Sequence, residues 1–319
     1  MPLIRQAFVL GAGLGTRLRP LTEALPKPLV PIFQKPLITF AFDHLIDAGC
    51  ERLIVNTHHQ PECFAALFPA GEYRGRPLTL RHEPVLLETG GGIANVADLL
   101  GEEPFLVYNA DILTDLPLAP LIESHNRAEN LVTLALRSRG GPQHVAFDSR
   151  SGRILDIRGQ LGTGAPDEFV FTGVYVVDPK FLCLLTAGVK RSVIPTFLEI
   201  IASGGKLGGA VLDEGHWWDV GTRDAYLQLH RDLPALPFPS FPTAEQDWRH
   251  KVHPTAGLHK KATLSGCSVL GRDTSVGEGA QLHDTIVWPG AQIASRSYLR
   301  NCIVRSHQIA RGTHIDIDI

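Results

Sequence analysis

The chain has 319 residues, of which 44% are hydrophobic and 20% are charged, and its formal net charge at pH 7 is −3. This balance argues against a nucleic-acid-binding protein, which needs a basic surface, and no run of about eighteen apolar residues predicts a membrane span. The length is sufficient for two domains with separate cores.

The cysteines and the N-terminal residues predict a cytoplasmic protein. The five cysteines are scattered along the chain without a C-x-x-C pair, which is typical of reduced and mostly buried thiols. The first eight residues lack the apolar stretch of a signal peptide. We therefore expect partners to be small molecules rather than nucleic acid or membrane.

A glycine-rich loop follows the first predicted strand, Ala7–Leu10. Glycines occupy alternate positions from 11 to 15, and they let backbone N–H groups approach an anion. Arg17 adds a guanidinium that suits phosphate oxygens, and Lys27 is held stiffly between two prolines. Thr16 stands where a dinucleotide fingerprint needs its third glycine, and the Gly-Lys-Ser/Thr of a P-loop is missing. The pattern predicts a polyphosphate site of another kind.

Helical and strand patterns alternate through the first half of the chain. The predicted helices are 36–49, 61–67 and one ending near 100, and the predicted strands are 52–56, 78–82 and 104–108. This alternation predicts a Rossmann-like α/β fold, with a mixed, mainly parallel sheet and helices on both faces. Ligands bind such sheets at the carboxyl ends of strands, and Asp111 follows one of these ends.

The middle of the chain is less regular. It predicts helices at 116–130 and 193–202, strands at 131–136 and 170–177, and a short hairpin within 140–164. A second acidic residue, Asp219, follows the aromatic residues 216–218, and Thr222 is suited to cap a helix that starts at Arg223.

The last third of the chain contains a proline-rich segment and then a repeat. Four prolines between residues 233 and 242 predict a stiff linker or a packed arm. Beyond about residue 264, aliphatic residues recur every five or six positions, which predicts a parallel β-helix of about three coils. The expected organisation is a catalytic domain over 1–232, a linker or arm over 233–262 and a short left-handed β-helix over 263–319.

Three segments resemble known families. The run GAGLGTRLRPLTEALPKPL closely resembles the signature of the sugar-1-phosphate nucleotidyltransferases. GEEPFLVYNADILTD and LLETGGGI are most similar to N-acetylmuramate-1-phosphate uridylyltransferases, and GRDTSVGEGAQLHDTIVWPGAQI resembles the left-handed β-helix tails of GDP-mannose-type pyrophosphorylases. The resemblance implies that a nucleoside triphosphate and a sugar-1-phosphate yield a nucleotide-sugar and pyrophosphate. It also implies in-line attack on the α-phosphorus with the help of Mg²⁺.

The resemblance also implies roles for individual residues. Arg17, Lys27, Asp111 and Asp219 match catalytic positions, and the two aspartates match the ligands of Mg²⁺. The positions matched to nucleotide contacts are Leu10, Gly11, Ala12, Gly13, Gly15, Thr16, Arg17, Lys27, Glu83, Thr89, Gly90 and Gly91. The positions matched to the sugar site are Asn109, Arg158, Thr172, Gly173 and Trp218. Arg158 is included because the usual Glu-Lys-Pro segment is not evident near DIRG at 156–159.

Several alternatives remain open at this point. Glu83 stands where some relatives use a glutamine to read the base, and its two acceptors favour guanine, whereas the core motifs favour uridylyl transfer. A non-catalytic regulatory subunit that senses a nucleotide-sugar is one rival function. A phosphocholine cytidylyltransferase is another, with Trp217 and Trp218 as candidates for an aromatic cage. The short tail suggests a homodimer formed through the β-helix or through the proline-rich arm.

Overall fold

The computed structural model describes residues 4–164 and 167–319. The chain divides into two compact units. Unit 1 comprises Met1–Leu14, Ile38–Asp219 and Phe238–Pro242, and unit 2 comprises Gly15–Leu37, Val220–Pro237 and Thr243–Ile319. The expected organisation was three consecutive segments. In the structure, Gly15–Leu37 and Val220–Pro237 group with the C-terminal repeat in unit 2. Among the described residues, none of the helices combines the length and the apolar character needed to cross a membrane.

The helices and strands that precede the repeat follow the predicted periodicities closely. The strands are β1 Gln6–Leu10, β2 Pro31–Ile32, β3 Lys35–Pro36, β4 Arg52–Thr57, β5 Glu72–Tyr73, β6 Arg76–His82, β7 Phe105–Asn109, β8 Ile112–Thr114, β9 Val132–Arg137, β10 Val145–Asp148, β11 Arg153–Ile157, β12 Glu168–Val177, β13 Leu207–Val211 and β14 Trp217–Asp219. The helices are α1 Leu37–Asp47, α2 Pro61–Leu67, α3 Glu88–Asn95, α4 Leu118–Ala128, α5 Ile194–Ala202 and α6 Arg223–Asp232. The short strands β2, β3, β5, β8 and β14, and the glycine-containing β13, were not predicted.

Unit 1 is built on one large mixed sheet with the strand order β10-β11-β13-β9-β12-β7-β1-β4-β6-β5. β1 is parallel to both β4 and β7, and β4 is parallel to β6. β12 is antiparallel to both of its neighbours, β7 and β9, so the sheet is more mixed than the mainly parallel one expected. The predicted hairpin adds two further antiparallel pairs, because β10 pairs with both β11 and β12. The mixed α/β class is confirmed.

The core of unit 1 lies along the central strands. The β1 residues Ala7, Phe8 and Val9 are fully buried, as are Phe105, Leu106 and Val107 of β7. Strands that are buried on both faces read as continuous apolar runs, which is why AFVL and FLVY are recognisable in the sequence. Phe197 of α5 packs into the same core.

The proline-rich segment is a packed arm rather than a free linker. Phe238 and Phe241 are buried within unit 1. The ring of Phe241 stacks on His44 with a centroid separation of 4.6 Å, and Phe238 meets Phe40 at 6.1 Å. Ser240 donates its backbone N–H to Asp115 over 3.1 Å. The prolines therefore stiffen a segment that lies on the surface of unit 1.

Unit 2 contains the repeat tail, which we define as residues 251–319. Its strands are β15 Gly257–Leu258, β16 Thr263–Ser265, β17 Val269–Leu270, β18 Ser275–Val276, β19 Gln281–His283, β20 Ile286–Val287, β21 Gln292–Ile293, β22 Tyr298–Arg300, β23 Ile303–Val304, β24 Ile309–Ala310 and β25 Thr313–Ile315. They form three parallel sheets, β15-β18-β21-β24, β16-β19-β22-β25 and β17-β20-β23. The predicted stacking of parallel strands is confirmed. The tail begins earlier than residue 263, because β15 lies inside the expected linker.

The register of the tail sheets explains the apolar repeat. Val276 pairs with Ile293, which pairs with Ala310, so each coil places a small or aliphatic side chain above the last. These side chains are buried and belong to one continuous core together with Leu282 and Leu299.

Residues 15–37 contact the rest of unit 2 through specific hydrogen bonds. Arg305 of the tail donates from Nη1 to the carbonyl of Pro20 over 3.1 Å and to Oε2 of Glu23 over 3.0 Å. The hydroxyl of Tyr226 on α6 donates to the carbonyl of Pro31 over 2.6 Å. Trp288 of the tail in turn donates to that hydroxyl over 3.0 Å. The tail is therefore the support for this N-terminal segment.

We expect Leu299→Ala to lower the free energy of unfolding by about 2–5 kcal/mol, because Leu299 is fully buried in the tail core. Ile309→Ala removes an aliphatic side chain that is 45% exposed in the same tail, and its cost should stay below about 1 kcal/mol. Urea unfolding of the two variants beside the wild-type protein measures both costs. Equal costs would contradict the core assigned to the tail.

A buried histidine joins α6 to residues 15–37 of unit 2. Nδ1 of His230 lies 2.9 Å from the carbonyl of Tyr226, and the backbone N–H of Phe33 donates to Nε2 over 3.1 Å. These partners assign the neutral tautomer with its proton on Nδ1. Burial lowers the pKa of His230 to about 4.

Acidification should therefore destabilise the protein. Between pH values of about 6.5 and about 4, His230 is protonated in the unfolded chain but neutral in the folded one, so the free energy of unfolding falls as the pH is lowered. The largest contribution of one such group is about 1.4 kcal/mol per pH unit. His230→Gln should give a shallower dependence in urea unfolding at pH 7, 6 and 5. An unchanged slope would contradict a neutral, buried imidazole.

Candidate active site

The carboxyl ends of the central parallel strands lie at one edge of the sheet. Leu10 at the end of β1 pairs with Asn109 at the end of β7, and Thr57 at the end of β4 pairs with His82 at the end of β6. The backbone N–H of Ala110 donates to the carbonyl of Leu10 over 3.2 Å. The start of the glycine loop and the Asn109–Asp111 segment are therefore neighbours.

A short antiparallel ribbon brings Asp111 and Asp219 to the same place. Asp111 immediately precedes β8, and Asp219 is the last residue of β14. β14 pairs with β8 so that Asp219 faces Ile112, the residue next to Asp111. Both carboxylates therefore lie at the same end of the ribbon, although they are far apart in the sequence. Both side chains are half-buried, and Oδ1 of Asp219 is shielded from solvent.

The chemistry of these two residues suits a hard divalent cation. Carboxylate oxygens are the ligands that Mg²⁺ prefers, and Mg²⁺ commonly takes one or two of them and leaves the remaining positions to phosphate and water. Within residues 4–164 and 167–319, His, Cys, Asp and Glu side chains form no group of three or more that could hold a metal by themselves. The donor set fits Mg²⁺ bound together with a phosphate ligand.

The aromatic residues beside Asp219 are fixed by the surrounding chain. The indole N–H of Trp217 donates to the carbonyl of Thr172 over 2.9 Å. Trp218 stacks on His216 with ring centroids 5.7 Å apart. The backbone N–H of His216 donates to Oδ1 of Asp115 over 2.6 Å, and this buried carboxylate also holds the proline-rich arm. Asp115 therefore supports the loop that leads into β14.

The glycine loop differs from expectation at its first two amides. The backbone N–H groups of Gly11 and Ala12 both donate to Oδ1 of Asn56, over 2.8 Å and 3.2 Å. The sequence-based expectation directed these amides at a triphosphate. They turn to Asn56 instead because β4 lies beside β1 in the sheet and Asn56 stands near its carboxyl end.

Glu83 also differs from expectation, since it was matched to a direct contact with the base. Its side chain is fully buried. Oε1 accepts a hydrogen bond from Nδ2 of Asn56 over 2.8 Å, and Oε2 accepts one from the backbone N–H of Leu87 over 3.0 Å. Both carboxylate oxygens thus have partners inside unit 1.

Thr89, Gly90 and Gly91 were also matched to nucleotide contacts. The hydroxyl of Thr89 accepts a hydrogen bond from the backbone N–H of Val193 over 2.9 Å. The amides of Gly90 and Gly91 donate to the carbonyl of Arg191 over 2.8 Å and 3.0 Å. A Cβ added at Gly91 would lie 2.3 Å from the carbonyl oxygen of Val189. These glycines make room for residues 189–191 of the same chain. The expectation was that they would make room for a base.

Of the residues matched to the sugar site, the structure brings Asn109 and Gly173 into contact. Gly173 has a φ of 82°, and a Cβ there would lie 2.7 Å from Nδ2 of Asn109, so these two residues are in close contact. The hydroxyl of Thr172 donates to the carbonyl of Ala135 over 2.9 Å and is buried, so this side chain serves the sheet instead of facing a sugar. Arg158 is exposed in the turn after β11, and its backbone N–H donates to the carbonyl of His144, the residue before β10, over 2.6 Å.

The remaining site residues belong to unit 2. Gly15 has a φ of 58°, and the hydroxyl of Thr22 donates to its carbonyl over 2.8 Å. Thr16 and Arg17 are exposed on the 3₁₀ helix Thr16–Leu18. Lys27 is buried and begins the 3₁₀ helix Lys27–Leu29.

The sequence-based reasoning missed Asn56 and Asp115. A usable signal existed for Asn56, because the run RLIVN ends an apolar strand on a polar residue just as FLVYN ends on Asn109. Asp115 had a weaker signal, namely a second aspartate four positions after Asp111.

Two glycines of the loop allow a matched test. A Cβ at Gly11 would lie 2.8 Å from the carbonyl oxygen of Asn56, whereas a Cβ at Gly13 would meet no atom of the described residues within 4 Å. We expect Gly11→Ala to lower the free energy of unfolding by about 1–3 kcal/mol and Gly13→Ala to change it little. Because the space at Gly13 is open, we expect Gly13→Ala to weaken binding of a nucleoside triphosphate instead. Urea unfolding and calorimetric titration with the four ribonucleoside triphosphates separate the two effects, and unchanged binding of all four would contradict a phosphate-binding role of Gly13.

Comparisons with known proteins identify the family of the chain. Residues 6–235 match the family model described as nucleotidyl transferase. The mannose-1-phosphate guanylyltransferase of Mycobacterium tuberculosis is 33% identical over 297 residues, which cover 90% of this chain and 80% of that protein. The mannose-1-phosphate guanylyltransferase catalytic subunit beta of Danio rerio is 28% identical over 317 residues, covering 94% and 85%.

A solved structure shows the same fold. The UDP-glucose pyrophosphorylase from Acinetobacter baumanii superposes with a TM-score of 0.60 at 19% identity, over 75% of this chain and 95% of that one. Residues 6–235, which match the family model, contain the strands that carry the glycine loop and both aspartates. The chain belongs to the nucleotidyl transferase family and is a sugar-1-phosphate nucleotidyltransferase.

Proposed function

We propose that this enzyme transfers a guanylyl group from GTP to mannose-1-phosphate, releasing pyrophosphate. The observation that carries this choice is the 33% identity to a mannose-1-phosphate guanylyltransferase over 90% of the chain, a span that must include most of both units. The UDP-glucose pyrophosphorylase match, at 19% identity, supports the fold alone. Uridylyl transfer, suggested by the core motifs, is therefore the second choice.

The roles proposed for the acidic residues follow from the ribbon. Asp111 and Asp219 would hold Mg²⁺ at the strand ends, where the triphosphate and the sugar phosphate must meet. Mg²⁺, when bound, neutralises charge on the transferring phosphate. The oxygen of the sugar phosphate attacks the α-phosphorus in line with the departing pyrophosphate, so this step needs no nucleophile from the protein.

The cationic residues are proposed to act on the phosphates. Arg17 would contact the leaving pyrophosphate, and Lys27 would stabilise charge at the transferring phosphorus. Gly13, Gly15 and Thr16 would supply the backbone near the triphosphate, since the amides of Gly11 and Ala12 have a partner in Asn56.

The sugar is proposed to lie beside Asn109 and Gly173. Their close contact places the polar side chain of Asn109 next to a strand position that has no side chain. Trp218 stays a prediction, since its ring packs on His216 and Phe238. Arg158 stays a prediction, as do helices on both faces of the sheet, cytoplasmic location and a homodimer formed through the tail or the arm. The three parallel sheets of the tail support a left-handed β-helix.

The two rival functions have less support. Trp217 and Trp218, the candidates for a choline cage, are engaged by Thr172 and His216 instead. A regulatory subunit that senses a nucleotide-sugar would bind nucleotide without turnover. The family match and the retained Arg17, Lys27 and both aspartates favour a catalyst.

Pyrophosphate release in the presence of Mg²⁺ tests the proposal directly. The four ribonucleoside triphosphates and dTTP would each be combined with mannose-, glucose-, N-acetylglucosamine- and N-acetylmuramate-1-phosphate. We expect the highest kcat/KM with GTP and mannose-1-phosphate. Highest activity with UTP and an amino-sugar phosphate would overturn the choice of base and sugar, and nucleotide binding without release in every combination would favour the regulatory subunit.

Asp111→Asn should reduce kcat by on the order of 10²-fold or more while the unfolding midpoint stays close to that of the wild-type protein, because a cation ligand is lost without a change in volume. The matched control is Asp224→Asn, which neutralises an exposed carboxylate on α6. Wild-type turnover by the Asp111 variant would contradict its role in binding Mg²⁺.

A further inference from the structure

We infer that Asn56 and Glu83 are positioning residues that set the shape of the glycine loop through one continuous hydrogen-bond relay. The consequence for catalysis rests on the proposed function, in which this loop binds a nucleoside triphosphate. The relay itself rests only on contacts within unit 1.

The relay has a fixed direction. Gly11 and Ala12 donate to Oδ1 of Asn56, Asn56 donates through Nδ2 to Oε1 of Glu83, and Leu87 donates to Oε2 of Glu83. An ionised carboxylate only accepts hydrogen bonds, so Glu83 satisfies the two donors that face it. The amide of Asn56 cannot be turned over, since its oxygen would then face Glu83 and its NH₂ group would face two backbone N–H groups.

Burial makes each member of the relay dependent on the others. Asn56 is 1% exposed and Glu83 is fully buried, so water does not replace a lost partner. Gly92 of α3 lies against both, because a Cβ there would be 2.8 Å from Nδ2 of Asn56 and 3.2 Å from Oε1 of Glu83. The relay therefore fills a closed space between the loop and α3.

The relay connects the glycine loop with the segment before α3, two segments that the family resemblance matched separately to nucleotide contacts. At one end it holds the first turn of the glycine loop, and at the other it holds Leu87, the residue that precedes α3. Glutamate is required at position 83 by two protein donors, whichever base the enzyme accepts. Glu83 thus acts on the nucleotide through Asn56 and the loop, and it does not read the base itself.

A swap of the two side-chain types tests the relay. In Glu83→Gln, the amide presents an NH₂ group to one of two donors, and in Asn56→Asp, two buried carboxylates face each other. The double variant N56D/E83Q restores every bond. The aspartate accepts from Gly11, from Ala12 and from the glutamine NH₂ group, while the glutamine oxygen accepts from Leu87. Only the bond between the two side chains reverses its direction.

We expect each single variant to raise the KM for GTP at least tenfold and to lower the urea midpoint of unfolding. The double variant should return KM to within about threefold of the wild-type value and recover most of the midpoint, and this non-additivity is the signature of a shared network. Glu88→Gln, which makes the same chemical change at an exposed position of α3, is the control and should leave both quantities unchanged.

Base selectivity separates positioning from direct reading. For a positioning relay, the ratio of kcat/KM for GTP to that for UTP should be similar in the wild-type protein and in the double variant. A ratio that stays altered in the double variant, or additive losses in midpoint and KM, would overturn the inference. If the wild-type protein releases no pyrophosphate with any triphosphate, the proposed function fails, and recovery of the urea midpoint still decides whether the relay exists.

Discussion

The parallel pairing of β1 with β4 and β7 is the constraint on which the arrangement of the site depends. Because the three strands run in the same direction, their last residues come to one edge of the sheet. The glycine loop follows β1, Asp111 follows β7, and Asn56 is the last residue but one of β4. The strand pairing alone therefore brings them to this edge. The β8–β14 ribbon adds the fourth component, Asp219, by antiparallel pairing over only three residues.

Much of the fold could be predicted from the sequence because burial imposes a readable period. The runs AFVL, RLIVN and FLVY are apolar since both faces of the central strands are covered, and the aliphatic repeat of the tail marks its stacked coils. The strands β8 and β14 could not be found in this way, because three residues are too few to show a period. The meeting of Asp111 with Asp219 was therefore accessible only through resemblance to a family.

The local chemistry of the site was harder to predict than its members. A glycine indicates that something approaches the backbone, but it does not say what. At Gly13 the space is open among the described residues, whereas at Gly91 it is filled by the carbonyl of Val189. In the same way, the sequence does not show whether the side chain of a threonine or glutamate faces a ligand or bonds to another part of the protein. Thr172 and Glu83 bond to Ala135 and Asn56, which lie on other strands, so these partners depend on how the strands pair.

The support that the tail gives to residues 15–37 has a consequence for biosynthesis. During translation, the strands of unit 1 leave the ribosome in an order that allows β1, β4 and β7 to pair while the chain is still growing. The segment that carries Arg17 and Lys27 is hydrogen-bonded to Tyr226 and Arg305, and Tyr226 is bonded in turn to Trp288. All three residues are made after β1, β4 and β7. A ribosome-bound chain with a finished sheet would still lack the contacts that hold residues 15–37, so the roles proposed for Arg17 and Lys27 would be open to them only after the repeat tail has been made.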